Sequence, residues 1–423
     1  MSDTAIQDNL VSPGKESDLI AAISAAPCER SAFVAAAEYF DSIGQEETAS
    51  SLHNGVVPAW LVDQYQLEKY PSEASGRLIS CDSLAWYPAH SEKLIKPLNT
   101  DFNRNSVFER SVKECPHEVL NILHDGALVY DGMNRLFIDP LNTRISNHSD
   151  VNSYLAHRLA GDINQSENVL EGLSIMLAAR NSGNFYHWHF DILPVLGLVE
   201  ECGIAISQID NIILTEKESS FHLPMLKRLG VSDRQLKIIK PSYDVVRCEK
   251  LLLPTIRCNM GMRQPRKHID WLRSKYLEKC TEKSDDKNSI KLAIVRDRRG
   301  YTDSQLVIEF LEKNGYKPFM PEKYSYAEQV EMFQNASHVV APHGAALTLL
   351  AYCRPGTVVH EFYGEHIHPC FWSIASTLGL KYYNYNCSEI NQAEVTNSGR
   401  GMVNRLNKSI DVTEALLHSM DSL

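Results

Sequence analysis

The sequence predicts an α/β protein with two Rossmann-like domains, and three observations support that fold class. At 423 residues, the chain is longer than one ordinary hydrophobic core accommodates. Short apolar segments alternate with helical patterns, as expected where strands and helices follow one another. Residues 281–289 are polar and charged, which is the composition of a linker. We therefore expect a domain boundary within residues 270–290.

Composition limits the classes of function. Hydrophobic residues make up 43% and charged residues 22% of the chain, as is typical of a globular protein in water. A net charge of −11 argues against a nucleic-acid partner. The ten cysteines occur singly, which favours reduced thiols in a cytoplasmic protein over a zinc site or a disulfide scaffold. Neither a signal peptide nor a transmembrane segment is predicted, and a peripheral contact with a membrane stays open.

In chain order, the first predicted element is a small helical N-terminal extension, residues 1–75. Residues 1–17 have the composition of a disordered segment. Residues 17–67 carry apolar side chains at spacings of three and four, which is the helical period. Gly44 supplies a turn, and no second copy of the pattern follows, so we expect a cap rather than a repeat protein.

The first predicted Rossmann-like domain spans residues 76–280. Apolar runs predict its strands, and helical patterns lie between the later ones. Asp139 and Pro140 supply turn chemistry after the second strand. The predicted strands are Ala127–Tyr130, Leu136–Ile138, Val169–Leu177 and Ile212–Leu214.

The second predicted Rossmann-like domain, residues 290–390, has the clearer pattern. Its alternating elements predict a doubly wound half-sheet, with Gly315 and Gly379 ending two of the helices. The C-terminal tail, residues 391–423, ends in an amphipathic helix that we expect to cross back onto the first domain. The predicted strands are Ile290–Val295, Tyr316–Phe319, His338–Ala341, Thr357–Phe362 and Lys381–Tyr385, and the predicted helices are Asp303–Asn314, Tyr326–Asn335, Ala345–Cys353 and His368–Leu378.

The most informative stretch is the strand-to-helix turn at Pro342–Thr348. Such a turn places free backbone N–H groups and the positive end of a helix dipole at the carboxyl edge of a sheet, where phosphate binds. His343 adds a titratable donor there, and Gly344 and Ala345 complete the turn. The alternative is a packing turn with a core histidine.

A second cluster is the aromatic run Asn181–Asp191. On a helix, His187 and Asp191 are four residues apart and share a face. A carboxylate beside an imidazole is a candidate base for removing a proton from a hydroxyl. Two alternatives stay open: a metal site formed by His187, His189 and Asp191, and aromatic packing around a helix entry.

A third cluster follows the strand Ile290–Val295. Arg296, Arg298 and Arg299 would lie at the carboxyl end of that strand and could bind a diphosphate bidentately. The alternative is a solvated charged loop.

Two acidic residues complete the candidate set. Glu361 is expected at the same sheet edge, where its carboxylate either binds the diol of a ribose or caps a helix. Glu328 lies on a predicted helix, next to Gln329. The chain contains no G-x-G-x-x-G, no P-loop and no G-x-S-x-G motif, which excludes the simple dinucleotide, P-loop and serine-hydrolase classes.

In this order, the motifs resemble those of glycosyltransferase family 61. The series is N-x-x-H-W-x-x-D, a strand with an Arg-rich turn, E-Q, P-H-G-A-x-L-T and P-G-x-x-V-x-E, and it runs from about Arg180 to Tyr385. The resemblance does not extend to residues 1–75. Within the first motif, His189 and Phe190 occupy variable positions.

The resemblance implies a GT-B fold and inverting transfer of a hexose or pentose, without an obligatory metal cofactor. The donor would be a nucleotide sugar, expected to be a UDP-sugar, and the acceptor a hydroxyl of a glycan or another molecule. Asp191 or His187 would be the base, and the sequence does not rank them. The donor would be bound in the second domain by Arg296, Arg298, Arg299, His343, Gly344, Ala345, Glu361 and Glu328.

Two other functions stay open from the sequence. One is a catalytically inactive carbohydrate-binding or scaffold member of the same fold. The other is a metal-dependent hydrolase that uses His187, His189 and Asp191.

Overall fold

The computed structural model describes residues 13–25, 30–53, 59–65, 81–87, 90–99, 108, 110–115, 118–130, 135–138, 169–177, 182–215, 221–239, 242–254, 264–277, 289–296, 300–364, 367–387, 410, 412, 417 and 420. Residues 1–12 of the segment expected to be disordered, residues 281–288 of the predicted linker, and Arg298 and Arg299 lie outside the described residues. No described helix is long and apolar enough to cross a membrane.

The chain divides into two compact units. The first unit contains residues 1–80, 126–169 and 242–247, and the second contains residues 81–125, 170–241 and 248–423. Every described candidate site residue belongs to the second unit. The predicted domains, residues 1–75, 76–280, 290–390 and 391–423, have different limits, and that functional division stays a prediction.

Four helices form the N-terminal part of the first unit, as the helical spacing predicts. They enclose a small core that includes the fully buried Ile20, Phe40 and Leu61. The first helix begins at Pro13, within the stretch expected to be disordered, because proline suits the first turn of a helix. Gly44 makes the predicted turn at φ 78°. The helices are α1 (Pro13–Ala25), α2 (Arg30–Ser42), α3 (Glu46–His53) and α4 (Ala59–Gln64).

The first sheet is mixed rather than wholly parallel. The strands of this part of the chain are β1 (Cys81–Tyr87), β2 (His90–Lys93), β3 (Val112–Cys115), β4 (Glu118–Tyr130), β5 (Arg135–Ile138), β6 (Val169–Met176), β7 (Asn211–Thr215), β8 (Leu236–Ile239) and β9 (Ser242–Pro254). All of them except β2 and β3 belong to the first sheet. Six strands follow the order β1-β4-β9-β6-β7-β8, β5 pairs with the end of β4, and β2 and β3 form a separate antiparallel ribbon. Strands β6, β7 and β8 are parallel, as in a Rossmann-like domain, whereas β1 and β4 are antiparallel.

The four strands predicted for this region are confirmed, although β4 begins at Glu118 rather than at Ala127, and β1, β2, β3, β8 and β9 were not predicted. Charged residues such as Glu249 and Lys250 interrupt the apolar pattern of β9, so its extended conformation depends on its neighbours in the sheet. The helices of the second unit are α5 (Phe185–His187), α6 (Val195–Glu201), α7 (His222–Arg228), α8 (Arg266–Tyr276), α9 (Ser304–Lys313), α10 (Tyr326–Gln334) and α11 (Cys370–Leu378).

The second sheet confirms the predicted half-sheet. Its strands are β10 (Ile290–Ile294), β11 (Tyr316–Phe319), β12 (Ala336–Pro342), β13 (Val358–Tyr363) and β14 (Lys381–Asn386). All neighbours are parallel, in the order β11-β10-β12-β13-β14. The chain therefore adds β11 on one side of β10 and β12 on the other. This reversal creates a topological switch point between β10 and β12, where open α/β sheets bind ligands.

One hydrophobic core runs through both sheets of the second unit. It joins Ile175 and Leu214 of the first sheet to Leu292 and Val339 of the second. The predicted helix after β12 is a 3₁₀-helix, Ala345–Tyr352, rather than an α-helix.

The C-terminal tail packs on the second sheet, so the prediction that it crosses back onto the first domain is wrong. Its described residues Ile410, Val412, Leu417 and Met420 share a hydrophobic cluster with Val340 and other residues of the second half. The tail is fixed there by the backbone N–H of Ile410, which donates to Gly300 at 2.8 Å. Burial of apolar side chains is favourable on any uncovered apolar surface, so the sequence pattern of the tail does not indicate which surface it packs against.

Candidate active site

The switch point of the second sheet brings two predicted residues together. Arg296 follows the end of β10, and His343 follows Pro342, the last residue of β12. Because β10 and β12 are parallel neighbours, both residues lie at the carboxyl edge of the sheet. The Arg296 Nη1 donates to the carbonyl oxygen of His343 at 3.0 Å.

Gly344 is required by the close approach of Arg296. A Cβ at this position would lie 1.9 Å from Arg296 Nη1 and 2.7 Å from its Cζ. The φ of Gly344 is 164°, an extended conformation that any residue adopts, so the backbone itself does not demand glycine. The guanidinium therefore packs directly over the turn that leads into Ala345, the first residue of the 3₁₀-helix.

His343 is oriented by a buried carboxylate. Its Nδ1 lies 2.5 Å from Oε1 of Glu361, which is fully buried, whereas 13% of the His343 side chain is exposed. The hydroxyl of Tyr382 donates to the other oxygen of Glu361. The His343 ring also stacks on Tyr363, with 4.9 Å between ring centroids. The Glu361 contact favours a proton on Nδ1, so a ligand would meet Nε2.

Glu361 thus lies behind the histidine, and both of its oxygens bond to protein groups. The structure gives it a positioning contact, and direct binding of a ribose through it stays a prediction.

The predicted phosphate-binding turn differs in one respect. The backbone N–H of His343 donates to the carbonyl of Phe362 at 2.8 Å, continuing the β12–β13 ladder, so it is not available to a ligand. A 3₁₀-helix also has poorer hydrogen-bond geometry than an α-helix. Among the described residues of this edge, attraction of an anion therefore depends mainly on the side chains of Arg296 and His343.

The second cluster is built on an asparagine-capped helix. The Asn184 side chain accepts from the backbone N–H of Tyr186 at 2.9 Å and of His187 at 3.4 Å. Helix α5 then widens into a π-helix, Trp188–Ile192, a rare geometry that often marks functional sites. His187 Nδ1 lies 2.6 Å from Oδ2 of Asp191, which confirms that the two side chains share a face. The His187 side chain is 18% exposed and that of Asp191 is 0% exposed.

Aromatic rings connect this pair with the switch-point cluster. The Tyr186 ring meets His187 edge-on at 5.4 Å and Phe371 at 5.6 Å between centroids. Phe371, on α11, lies 5.4 Å from the His343 ring. The two clusters are therefore separated by only two aromatic side chains.

His189 does not join His187 and Asp191, so the alternative three-ligand metal site is not formed. Its ring is fully buried, with Nδ1 at 2.7 Å from the carbonyl of Phe185 and Nε2 at 2.9 Å from the hydroxyl of Tyr326. Burial lowers the pKa of His189 to about 3. The neutral ring donates from Nδ1 and accepts at Nε2, as a core histidine does.

Lowering the pH is expected to destabilise the fold through His189. The unfolded side chain takes up a proton below its ordinary pKa of 6.5, whereas the folded one does so only near pH 3. Unfolding is therefore favoured increasingly as the pH falls between these values. From pH 7 to pH 5, the free energy of unfolding should lose about 2 kcal/mol through this residue.

Urea denaturation at both pH values measures this loss, with His189→Gln as the comparison. The pH dependence of the wild type should exceed that of the variant by the stated amount. If the free energy of unfolding changed equally with pH in both proteins, His189 would take up its proton as readily in the folded protein as in the unfolded chain.

Glu328 caps α10 in the structure. Its carboxylate accepts from the backbone N–H of Ser325 at 2.8 Å and from its hydroxyl at 2.7 Å, and these bonds lower the pKa of Glu328. It also lines a pocket of about 580 Å³, together with Arg228, Tyr276 and Glu331. Donor binding through Glu328 stays a prediction.

Among the described residues, one cluster brings three metal-ligating groups together: the donor atoms of His90, Glu92 and Cys115 lie within 4.8 Å of one another. The Lys113 ammonium is 3.1 Å from Oε2 of Glu92, and burial raises the pKa of the Cys115 thiol to about 12. A cation there would compete with Lys113 and would need to displace the thiol proton. We therefore assign the cluster a structural role.

The sequence did not single out Phe371 or Tyr382. Strand alternation in Lys381–Tyr385 could have placed Tyr382 on the same sheet face as Glu361, since Val359 pairs with Tyr382. Phe371 carries no such signal, because its contact with His343 joins two elements that are not neighbours in the chain.

The model of the family described as "Glycosyltransferase 61" matches residues 185–360. The matched segment contains His187, Asp191, Arg296 and His343 and ends one residue before Glu361. No curated protein matches the chain. The match confirms the family that the order of the motifs predicts. Over residues 185–360, the chain is thus similar to glycosyltransferase family 61, and this match supports a glycosyltransferase.

Proposed function

We propose that this glycosyltransferase performs inverting transfer of a hexose or pentose from a nucleotide sugar to an acceptor hydroxyl. The observation that carries the proposal is the placement of Arg296 and His343 at the switch point, two aromatic rings away from His187 and Asp191. An inverting displacement needs positive charge at the departing diphosphate and a base at the acceptor. The two clusters match these two needs.

The diphosphate of the donor would be bound by the Arg296 guanidinium and by Nε2 of His343. Arginine suits this task because its charge is permanent and its planar fork matches phosphate oxygens. As the sugar–phosphate bond breaks, negative charge grows on the diphosphate, and both groups stabilise it. We infer that no metal is obligatory, because these side chains supply the compensating charge.

His187 is the better candidate for the base. It is the more exposed member of the pair, and Asp191 lies behind it, bonded to Nδ1. A buried carboxylate that orients a histidine is a recurring arrangement for activating a hydroxyl. His187 would take the acceptor proton while the acceptor oxygen attacks the anomeric carbon and the nucleoside diphosphate leaves.

The proposal extends to architecture and location. We propose that the second sheet is the donor side and the first sheet the acceptor side of a GT-B arrangement. A cytoplasmic location remains our proposal from the scattered cysteines.

Nucleotide binding followed by product analysis tests the function. With a chelator present, UDP at a hundred times its Kd should raise the free energy of unfolding by about 2.7 kcal/mol, and by more than ADP, GDP or CMP do at the same concentration. NMR of the product from a UDP-sugar should then show an inverted anomeric configuration. Binding without transfer or hydrolysis would identify an inactive member, and a retained configuration would exclude the inverting mechanism.

A further inference from the structure

Tyr186 lies between the two clusters of the candidate active site. Its ring contacts the rings of His187 and Phe371, and Phe371 in turn contacts His343. Tyr186 is buried, so protein atoms enclose its ring. The positions of both imidazoles therefore depend on where this one ring lies.

The hydroxyl of Tyr186 is held by two hydrogen bonds. Nε2 of Gln264 donates to it, and it is also bonded to the thiol of Cys370. Burial raises the pKa of Tyr186 well above its ordinary value, and the nearby Cys370 and Asp191 raise it further. The hydroxyl therefore stays protonated, accepting from Gln264 and donating to Cys370.

Gln264 is fully buried, and its polar atoms are incompletely bonded. Its Nε2 bonds to Tyr186, whereas its Oε1 has no hydrogen-bond partner among the described residues. A buried acceptor without a partner lowers stability, so an apolar side chain of the same shape would suit the packing better. The glutamine is therefore explained by its bond to Tyr186 rather than by the stability of the core.

The backbone of Gln264 is fixed as well. Its carbonyl oxygen accepts from Nζ of Lys113 at 2.7 Å. The Lys113 side chain is fully buried, and its ammonium also donates to Oγ1 of Thr377 at 2.9 Å and lies 3.1 Å from Oε2 of Glu92. Separating a buried charge from its partners is costly, so these contacts resist displacement. Gln264 thus gives Tyr186 a rigid anchor.

Helix α5, which carries His187, depends on such an anchor. It spans three residues and continues into a π-helix of five residues. Segments this short are not stable by themselves and take their positions from tertiary contacts. Asn184 caps the start of α5, and the hydroxyl of Tyr186 attaches its side to Gln264.

The second bond of the hydroxyl, to Cys370, reaches the donor side. Cys370 is the first residue of α11, and Phe371 follows it. Burial and the nearby Glu361 carboxylate raise the pKa of the Cys370 thiol, which is therefore uncharged. Glu361 is the carboxylate that orients His343. One hydroxyl thus joins the helix of the candidate base to the surroundings of the donor-side histidine.

We propose that Gln264 and Tyr186 are positioning residues that fix the separation of His187 from His343 and so align the acceptor with the donor. This inference rests on the proposed function, which assigns the base and a diphosphate contact to those two histidines. Transfer requires the acceptor oxygen and the anomeric carbon to be aligned, and a misplacement of about 1 Å lowers a rate by about a hundredfold. Both positioning residues are buried and act without touching a substrate.

Removing the hydroxyl tests this role. Tyr186→Phe retains the ring and its contacts, yet its kcat for transfer should fall about ten- to a hundredfold. The affinity for UDP and the pH dependence of kcat should stay as in the wild type, because Arg296 and the bond between Asp191 and His187 are unchanged. The variant should also unfold at a lower urea concentration, since the Gln264 amide loses its partner.

A second change separates positioning from stability. Methionine has nearly the shape of glutamine, so Tyr186→Phe combined with Gln264→Met replaces both partners of the bond by apolar groups. The double variant should regain much of the wild-type resistance to urea. Its kcat should stay low, because no directional bond to residue 264 holds the ring. A merely structural pair would regain the rate together with the stability.

NMR of labelled histidine rings in the substrate-free protein gives a readout that does not require transfer. In Tyr186→Phe and in the double variant, the imidazole signals of His187 and His343 should shift or broaden, because the ring between them is no longer anchored.

Tyr385→Phe is the matched control. The buried Tyr385 hydroxyl lies 2.9 Å from Nδ1 of His360, so this variant also loses a buried hydroxyl contact. Tyr385 pairs with Phe362, the neighbour of Glu361 on β13, so its side chain lies on the other face of the second sheet. The control should retain the wild-type kcat and both active-site imidazole signals.

The proposal is overturned if Tyr186→Phe transfers at the wild-type rate, if the double variant regains its rate with its stability, or if UDP affinity falls along with the rate. Unchanged imidazole signals of His187 and His343 also overturn it, whether or not transfer is found. If the wild type neither binds UDP nor transfers a sugar, the proposed function fails, and the imidazole signals still decide whether Tyr186 positions the two histidines.

Discussion

Replacing His187 with glutamine should lower the rate of sugar transfer by about a hundred- to ten-thousandfold, which is the usual contribution of a general base. Glutamine preserves the size of the side chain but cannot take the proton of the acceptor hydroxyl. The affinity for UDP should hardly change, because the diphosphate is bound by the switch-point cluster. Steady-state kinetics measures the rate, and calorimetry measures the affinity for UDP.

Asp191→Asn separates the base from the residue that orients it. If Asp191 orients His187, the variant loses much of its transfer rate, because asparagine does not favour the tautomer with the proton on Nδ1. The transfer rate then still depends on pH through the histidine. If Asp191 is the base, the variant loses that pH dependence and His187→Gln retains it. Loss of UDP binding in either variant would assign the pair to donor binding or to the fold. His90→Gln, at an exposed histidine, is the control and should retain full activity.

Replacing Gly344 with alanine should weaken UDP binding by about ten- to a hundredfold. The added Cβ would overlap Arg296 Nη1, so the guanidinium has to leave the turn. A lost charge-assisted contact costs about 1.5–3 kcal/mol, which corresponds to this change in affinity. The clashing atoms are the far end of a flexible side chain, so the free energy of unfolding should change little.

Two further variants help to explain the effect of Gly344→Ala on UDP binding. Arg296→Ala should weaken UDP binding to the same extent, and combining it with Gly344→Ala should add little, because both changes remove one contact. Gly364→Ala is the control, since the Cβ there would lie 3.4 Å from Ile410 Cγ1, an ordinary van der Waals contact. Unchanged UDP affinity in both Gly344→Ala and Arg296→Ala would place the phosphate site elsewhere. A large loss of stability in Gly344→Ala would make the turn a packing feature.

The local pattern of the sequence predicted the second sheet because its central strands carry short apolar runs, such as those at residues 292–295 and 339–341, and turn residues separate them from the helices. Parallel strands covered on both faces produce such runs, and helix caps such as Asp303, Ser325 and Gly379 mark the intervening helices. The first sheet was predicted only in part. Strand β9 carries charges within its length and is specified by the strands beside it, which lie far away in the sequence.

The candidate site divides in the same way. The sequence by itself determined the contact of His187 with Asp191, because a spacing of four residues on a helix suffices, and it placed Arg296 and His343 at one sheet edge through the strand order. Only the tertiary structure decided that Glu361 lies behind His343 and that His189 is a neutral core residue. These outcomes depend on burial and on contacts with distant segments of the chain. The neighbours of a side chain across a packed core cannot be predicted from its local sequence.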